Sequence, residues 1–279
     1  MAHSLRGKTA VITGGARGQG RSHALALAAE GVDIALFDVS ANIGSVPYSL
    51  GTQADLEQTK RMVNDLDRRC VTAVVDVRDG QAMIRAVDHV VAELGSVDIL
   101  CANAGILSWS SIEEMTDQTW QDMIDVNLTG VFNAFRAVAP HMRQQRGGRI
   151  VATASMAGRG GFGQLAHYTA AKWGLIGLTK TFALEMAQFN VTANVVAPTN
   201  VRSDMILNEA ARKFFVPDVA SPTDTDVAKV MAARTDMGIP WVEPSDVSGA
   251  ILYLVSDAAR YVTGEVIHVA AGTNAHNTA

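Results

Sequence analysis

Three residues, Ser155, Tyr168 and Lys172, have the types and spacing needed to move a proton to or from an alcohol or carbonyl oxygen. Tyr168 and Lys172 are four apart, so on a helix both side chains would leave the same face, one turn apart. A phenol titrates near pH ~10, and a nearby ammonium favours the phenolate and lowers that pKa. Such a tyrosine can act as a general acid or base, and Ser155 can hydrogen-bond the same oxygen.

A glycine-rich loop follows the first apolar run of the chain, with glycines at 14, 18 and 20. Glycine allows a tight turn and a close approach to a pyrophosphate, and the N-terminus of the following helix favours an anion. The spacing is Gly-x-x-x-Gly-x-Gly rather than the Gly-x-Gly-x-x-Gly of the common dinucleotide fingerprint. By itself, the loop therefore does not distinguish a phosphate site from an ordinary glycine turn.

An acidic residue, Asp38, ends the second apolar run. A carboxylate there can accept hydrogen bonds from the adenosine ribose hydroxyls and would repel a 2′-phosphate, which favours NAD over NADP. Arg17, inside the glycine loop, would instead favour NADP if it contacts a phosphate. The alternative is that Arg17 only faces solvent. We give Asp38 more weight because a carboxylate beside a phosphate dianion is costly.

Short apolar runs alternate with helix-like segments, which predicts βαβ units around a parallel sheet in an α/β fold. The runs cover 9–13, 32–37, 71–75, 97–102, 149–153, 191–197 and 265–269. Ligands of such sheets bind outside the carboxyl ends of the strands. Four polar residues fall at these predicted ends: Asp38, Asp76, Asn103 and Ser155.

Two stretches interrupt this alternation. Residues 39–55 contain a proline and two glycines and delay the next helix, and residues 199–240 are long and mixed. Long loops in compact domains are usually functional or disordered. Apolar residues such as Met205 and Phe214 favour a substrate lid for the second stretch. A glycine-rich segment at 158–163 matches the dinucleotide pattern, but no strand ending in an acid follows it, so we interpret it as a loop beside Ser155.

Composition argues against several other classes of function. The 279-residue chain has a net charge of −5 and no basic run, so nucleic acid and anionic membranes are not expected partners. No apolar run approaches the ~20 residues of a membrane span, and the first residues lack the apolar core of a signal peptide. The two cysteines, Cys70 and Cys101, provide neither a disulfide framework nor metal-ligand spacing. We expect a cytoplasmic protein with no metal.

Together these features resemble the short-chain dehydrogenase/reductase family over nearly the whole chain. The resemblance implies a single Rossmann domain over residues 1–279, with a doubly wound, seven-stranded parallel sheet, usually in a homotetramer. By position, it implies that Tyr168 is the general base and that Ser155 holds the substrate oxygen. It further implies that Lys172 binds the nicotinamide ribose and lowers the pKa of Tyr168, and that Asn127 holds a water in a proton relay.

The resemblance also implies a set of cofactor contacts along the carboxyl ends of the strands. These are Gly14, Arg17, Gly18, Gln19, Gly20, Asp38, Asp76, Val77, Asn103, Ala104, Gly105, Tyr168, Lys172, Pro198, Thr199 and Val201.

Three departures from the usual family pattern narrow the resemblance. Thr199 follows Pro198 where glycine is usual, Gln19 replaces an aliphatic residue, and the insert at 39–55 is long. These features resemble the carveol-dehydrogenase-like, mycofactocin-associated subgroup. That subgroup is NAD-linked, and its insert is thought to cover the cofactor and hinder exchange. The resemblance then implies an external, mycofactocin-like redox carrier that reoxidises the bound cofactor.

We expect an NAD-dependent enzyme that interconverts a secondary alcohol, lipophilic and terpenoid-like, with its ketone. The expected substrate pocket consists of Trp109, Ser155, Met156, Phe162, Met205, Phe214 and Trp241. Ordinary core packing is the alternative explanation for each apolar member of this set. Two other functions stay open: an NADP-dependent ketone reductase, and a non-catalytic NAD-binding sensor on the same fold.

Overall fold

A single parallel sheet organises the protein, whose computed structural model describes residues 5–276. Its strand order is β3-β2-β1-β4-β5-β6-β7, and every pair is parallel. The predicted seven-stranded α/β sheet is therefore confirmed. The strands are β1 (Thr9–Thr13), β2 (Asp33–Asp38), β3 (Cys70–Val74), β4 (Ile99–Ala102), β5 (Gly148–Thr153), β6 (Val191–Pro198) and β7 (Val266–Val269).

Helices connect these strands and lie on both faces of the sheet. They are α1 (Gly18–Ala29), α2 (Gln53–Asn64), α3 (Gly80–Leu94), α4 (Asp117–Ile124), α5 (Gly130–Gln145), α6 (Ala166–Met186), α7 (Glu209–Phe215), α8 (Asp224–Ala232) and α9 (Pro244–Val255). A π-helical turn at Asp125–Thr129 joins α4 to α5.

Each face of the sheet has its own apolar core. One contains Met83 of α3, Phe135 of α5 and Leu175 of α6, and the other contains Leu27 of α1 and Ile251 of α9. Because helices cover both faces, the central strands are apolar along their whole length, and all residues of β1, β4 and β6 are buried. This two-sided burial fixes the register and brings the carboxyl ends of the strands to one edge.

Both irregular stretches differ in detail from their predicted bounds. The stretch after β2 ends at Thr52, because Thr52 and Asp55 form a capping box that begins α2 at Gln53. The stretch 199–240 is partly helical, since Asn208 caps α7 and Thr223 caps α8. Helices of seven and nine residues carry too little periodicity to be recognised from sequence.

Candidate active site

Tyr168 and Lys172 lie in the first two turns of α6 and face the end of β5. Tyr168 is 9% exposed and Lys172 is 3% exposed, and the same helix face buries Leu175, Thr179 and Ala183. This spacing of three and four residues places them on one buried face of the helix. The helix predicted from the sequence therefore turns both side chains inward.

Backbone and side-chain hydrogen bonds hold this group together. Lys172 Nζ donates to the carbonyl oxygen of Thr153 at 2.8 Å and lies 5.5 Å from the ring centroid of Tyr168. The phenol of Tyr168 hydrogen-bonds the side chain of Ser155. Ser155 Oγ also accepts a bond from Ala157 N at 3.2 Å, which fixes the serine at the start of a short 3₁₀ turn. The three predicted residues thus form one buried cluster.

Burial dominates the electrostatics of this cluster. It raises the pKa of Tyr168 to about 12, although the hydrogen bond from Ser155 acts in the opposite direction. Burial also lowers the pKa of Lys172 to about 7. The expected lowering of the Tyr168 pKa by Lys172 is therefore not found in the protein alone: burial and the bond from Ser155 set that pKa, and burial disfavours a full charge on either group.

Asn127 lies in the π-helical turn between α4 and α5, and its side chain is fully engaged. Its Nδ2 donates to the carbonyl oxygens of Ile106 and Met123, both at 3.1 Å, and its Oδ1 accepts from Ile106 N at 3.3 Å. These bonds tie the segment after β4 to the helix. The side chain of Asn127 therefore positions the backbone beside the cavity, and its expected role in holding a water stays a prediction.

The glycine loop and the end of β4 are held against each other at the edge of the sheet. Thr13 Oγ1 accepts hydrogen bonds from the backbone N–H groups of Asn103 and Ala104, both at 3.1 Å. Gly14 has φ +68°, and a Cβ on it would lie 2.9 Å from Ala104 Cα. Glycine is therefore required there by both conformation and space. Asn103 therefore connects the end of β4 to the end of β1.

A narrow cleft begins at this loop and runs along the ends of β1, β2 and β4. Its walls include Gly14, Arg17, Gly18, Gln19, Asp38, Asp76, Val77, Asn103, Ala104 and Gly105, all expected cofactor contacts. Gly20 is not among the lining residues, and a Cβ on it would lie 2.0 Å from the carbonyl oxygen of Gly14. Gly20 thus has a packing role within the loop, and its expected contact with the cofactor stays a prediction.

Two carboxylates of the cleft have defined partners. Asp38 Oδ2 accepts a hydrogen bond from Ala16 N at 3.0 Å, which joins β2 to the glycine loop. Burial pushes the pKa of Asp76 upward, but the hydrogen bonds and charge of Arg78 outweigh it and hold that pKa below its usual range. Both groups therefore present acceptor oxygens to the cleft.

Residues 39–52, which we call the strap, lie over this cleft. Ile43, Tyr48 and Leu50 line it, and Tyr48 Oη accepts a hydrogen bond from Leu107 N at 3.0 Å. A Cβ on Gly51 would lie 3.4 Å from both oxygens of Asp38. The strap therefore packs on the carboxylate at one end of the cleft and reaches the segment after β4 at the other.

Arg17 joins the glycine loop to both irregular stretches. Its guanidinium forms an ion pair with Asp204 at 2.6 Å and donates a hydrogen bond to the carbonyl oxygen of Ser49 in the strap. Asp204 belongs to the stretch that follows β6. The possibility that Arg17 simply faces solvent is therefore wrong, because the side chain connects three segments around the cleft.

A larger cavity of about 580 Å³ adjoins the cleft and contains the Ser155–Tyr168–Lys172 cluster in its wall. The cleft and the cavity share Gln19, Asn103, Gly105, Ser203 and Met205. An elongated ligand can therefore extend from one into the other. The remaining expected residues in the cavity wall are Trp109, Asn127, Met156, Phe162, Pro198, Thr199, Val201 and Phe214.

Aromatic rings form one side of the cavity. Trp109 stacks on Phe214 with ring centroids 5.3 Å apart, and Phe215 meets Trp109 edge-on at 6.1 Å. Trp241, an expected pocket residue, does not line the cavity. It precedes Val242, which pairs with Val201 and is buried, so the alternation of an extended segment directs Trp241 away. Gly160, Phe162 and Gly163 line the cavity, as expected for a loop beside Ser155.

Several lining residues were missed by sequence reasoning. Tyr48 lies in the strap, and Phe215, Met231 and Arg234 lie in or just after the two short helices α7 and α8. The pair Phe214-Phe215 was a visible signal, since two adjacent aromatic residues in a polar stretch need a partner. For Tyr48 and Arg234 the sequence offers no comparable signal.

Helices long and apolar enough to cross a bilayer do not occur between residues 5 and 276. The same part of the chain contains no group of three or more His, Cys, Asp or Glu residues that could hold a metal ion. His23 is buried against Ser248, with Nδ1 2.8 Å from Ser248 Oγ, and burial lowers its pKa to about 3. It therefore connects α1 to α9.

Comparison with known proteins identifies close relatives. A family model for short chain dehydrogenases matches residues 8–213. A (−)-trans-carveol dehydrogenase from Rhodococcus erythropolis is 45% identical, over 96% of this chain and 98% of that protein.

Solved structures agree with this result. A crystal structure of carveol dehydrogenase from Mycobacterium avium in complex with NAD has a TM-score of 0.95 at 45% identity, covering 97% of this chain and 99% of that one. A short chain dehydrogenase from Mycobacterium paratuberculosis bound to NAD has a TM-score of 0.88 at 34% identity, covering 98% of this chain and 100% of that one.

The buried lysine predicts a measurable pH dependence of stability. Its pKa is about 7 in the folded protein against the ordinary lysine value of 10.5, so between these limits the unfolded chain binds more protons at this residue. The free energy of unfolding should therefore gain a contribution that rises with pH, by at most about 1.4 kcal/mol per pH unit.

Lys172→Met should flatten that rise in denaturant titrations from pH 7 to 10. Lys229→Met, on a side chain that is 74% exposed, is the control. Equal slopes in Lys172→Met and the wild type would contradict the assignment.

Proposed function

Because the chain belongs to the short-chain dehydrogenase family, we propose that it is an NAD-dependent alcohol dehydrogenase that interconverts a lipophilic secondary alcohol and its ketone. One observation carries the proposal. The Ser155–Tyr168–Lys172 cluster is buried in the wall of an aromatic cavity that continues into the cleft at the glycine loop. A proton-transfer group and a dinucleotide cleft are thus placed side by side.

The residues of the cleft fit NAD. Gly14 and Gly18 open the loop at the N-terminus of α1, where backbone N–H groups favour a pyrophosphate. Asp38 lies at the end of β2, where its carboxylate suits ribose hydroxyls and disfavours a 2′-phosphate. The relatives from M. avium and M. paratuberculosis were solved with NAD. When bound, NAD supplies the hydride acceptor for oxidation, or the donor for reduction.

In this proposal, the protein handles the proton. Alcohol oxidation removes a hydride from the carbinol carbon and a proton from the hydroxyl. Tyr168 first passes its own proton to the neutral amine of Lys172 and then, as the phenolate, takes the hydroxyl proton at Oη. Ser155 Oγ, whose single O–H donates to Tyr168 in the protein alone, turns that O–H to the substrate oxygen and orients it. Lys172, whose pKa of about 7 lies near neutrality, serves as the next proton site. Asn127 supports this arrangement by fixing the segment that carries Gly105 and Ile106.

The lining of the cavity indicates the kind of alcohol. Trp109, Met156, Phe162, Met205 and Phe214 provide an apolar, largely aromatic wall around the reacting group. A relative that is 45% identical is a carveol dehydrogenase. We therefore propose a terpenoid-like cyclic alcohol as the substrate class.

Tyr168→Phe should reduce turnover by roughly 10²-fold or more, because the variant keeps the ring but loses the group that accepts the proton. The measurement is the initial rate on cyclic secondary alcohols, with an artificial electron acceptor present. Tyr261→Phe, on a side chain that is 87% exposed, is the matched control. Wild-type rates in Tyr168→Phe would exclude the proposed role. If the wild type with bound NAD transfers no hydride from any alcohol of a broad panel, the protein is a non-catalytic NAD-binding protein instead.

Asp38→Ala should weaken the preference for NAD over NADP, because it removes the charge that would repel a 2′-phosphate. The ratio of binding constants for the two cofactors, measured by calorimetry, tests this. Asp88→Ala, on the exposed face of α3, should keep the wild-type ratio. A wild-type protein that binds NADP more tightly than NAD would make the NADP-dependent ketone reductase the better description.

The strap gives a reason to propose that NAD stays bound between turnovers. Tyr48 reaches Leu107, Gly51 packs on Asp38, and Arg17 joins the strap to Asp204 across the cleft. Release of the adenosine end requires these contacts to break together. We therefore propose that residues 39–55 cover the cofactor, that residues 199–240 form the substrate lid, and that an external, mycofactocin-like carrier reoxidises the bound cofactor in place.

Arg17→Met should accelerate exchange of the bound cofactor, because it removes the ion pair to Asp204 and the hydrogen bond to the strap. We expect NAD to copurify with the wild type and to exchange slowly with added isotope-labelled NAD, as followed by mass spectrometry. Arg260→Met, beside the exposed Tyr261, is the control. Rapid exchange in the wild type would reject the covering role of the strap.

Exposed aromatic residues support the proposal of a homotetramer. Trp120 on α4, Phe132 on α5 and Trp173 on α6 are 42%, 44% and 46% exposed. Large side chains that leave this much apolar area in water are usual at interfaces between subunits. We propose that these three helices pack against a second copy of the chain.

A further inference from the structure

The substrate cavity is lined by basic but not by acidic side chains. Over the part of the chain that the structure describes, no Asp or Glu lines it, although the whole sequence has 28 acidic and 23 Lys or Arg residues. Three basic side chains do line it, Lys172, Arg234 and His276. His276 Nε2 is 2.8 Å from a carboxylate oxygen of Asp236, so Lys172 and Arg234 are the two cations of the wall that no carboxylate of the described residues pairs with. A neutral substrate does not require this bias, whereas an anionic one would be repelled by any carboxylate in the wall.

The two cations lie at different depths. Lys172 is 3% exposed and belongs to the reacting group, whereas Arg234 is an exposed residue just after α8. Arg234 therefore marks the mouth of the cavity and Lys172 its inner wall. Because Tyr168 and Arg234 line the same cavity, a ligand of sufficient length with its carbinol at Tyr168 can reach Arg234.

Arg234 is attached to the aromatic wall but keeps donors for a ligand. Its Cζ lies 5.9 Å from the ring centroid of Phe215, which meets Phe214 edge-on at 5.0 Å. A guanidinium over a ring retains N–H donors in its own plane. The nearby carboxylate of Asp236 is 2.8 Å from His276 Nε2 and does not line the cavity. The guanidinium is thus held in place without a carboxylate from the cavity wall.

We propose that the substrate is a lipophilic secondary alcohol that carries a carboxylate at the end distant from the carbinol, and that Arg234 binds this carboxylate. The proposal rests on the proposed function for the reacting end and adds the chemistry of the other end. Arginine suits a carboxylate because two parallel N–H groups can bond both oxygens. The aromatic wall between the two ends accommodates the apolar body of the molecule.

The alternative is that Arg234 only covers the edge of Phe215. In that case the cavity would bind an acid no better than its uncharged counterpart. A matched pair of ligands distinguishes the two: a cyclohexanone with an alkyl chain ending in a carboxylate, and the same ketone ending in a primary amide. Several chain lengths cover the unknown separation between the two ends.

Binding of these ketones to the NAD-loaded protein, measured by calorimetry, tests the proposal. A ketone and oxidised NAD do not react, so binding is observed without turnover. At the best chain length the acid should bind roughly tenfold or more tightly than the amide. Arg234→Gln should bring the ratio of the two dissociation constants close to one, and Arg234→Lys should lower it in part. Arg202→Gln, on an exposed arginine outside the cavity wall, should keep the wild-type ratio.

Equal dissociation constants for acid and amide at every chain length in the wild type would overturn the proposal. A preference for the acid that persists in Arg234→Gln would equally overturn the role of Arg234. Selective binding of the acid without any oxidation of the corresponding alcohol would support this proposal and contradict the proposed function. The two claims therefore fail separately.

Discussion

The arrangement of the site depends on one hydrogen bond, from Lys172 Nζ to the carbonyl oxygen of Thr153 at 2.8 Å. An amine that is 3% exposed needs a partner, and the last residue of β5 provides it. The bond fixes the rotation of α6 against the sheet edge, and the same rotation brings Tyr168 to Ser155. Serine in turn is fixed by the turn that begins directly after the strand. The proton transfer that we propose therefore depends on a contact between a helix and a strand end.

On the cofactor side of the site, hydrogen bonds also hold the ends of the neighbouring strands together. Thr13 clamps the end of β4 to the end of β1, and Asp38 clamps the end of β2 to the glycine loop. These bonds use backbone groups that a parallel sheet leaves without partners where its strands stop. The cleft and the cavity meet because all of these ends lie at one edge. The strap lies over the cleft, and Arg17 connects it, through Ser49 and Asp204, to the stretch that follows β6.

Sequence reasoning recovered the sheet and the reacting group because both depend on local patterns. Strands that are buried on both faces appear in the sequence as continuous apolar runs. The spacing of four between Tyr168 and Lys172 indicates one face of a helix. Sequence reasoning failed where tertiary contacts decide. The pKa of Tyr168 rises because of burial, which no local pattern reports. Trp241 stays outside the cavity wall because Val242, its neighbour, pairs with Val201. Tyr48 and Arg234 enter the site from segments without periodicity.

The central claim is that the proton passes between Tyr168 and Lys172 in a desolvated site. The pH dependence of a single turnover of hydride transfer in the NAD-loaded protein tests it most directly. In the protein alone the pKa of Tyr168 is about 12, and the positive charge of oxidised nicotinamide should favour the phenolate. We predict a rate that rises with pH through an apparent pKa well below 12, and a displacement of that pKa to higher pH in Lys172→Met. A profile that Lys172→Met leaves unchanged would contradict the account.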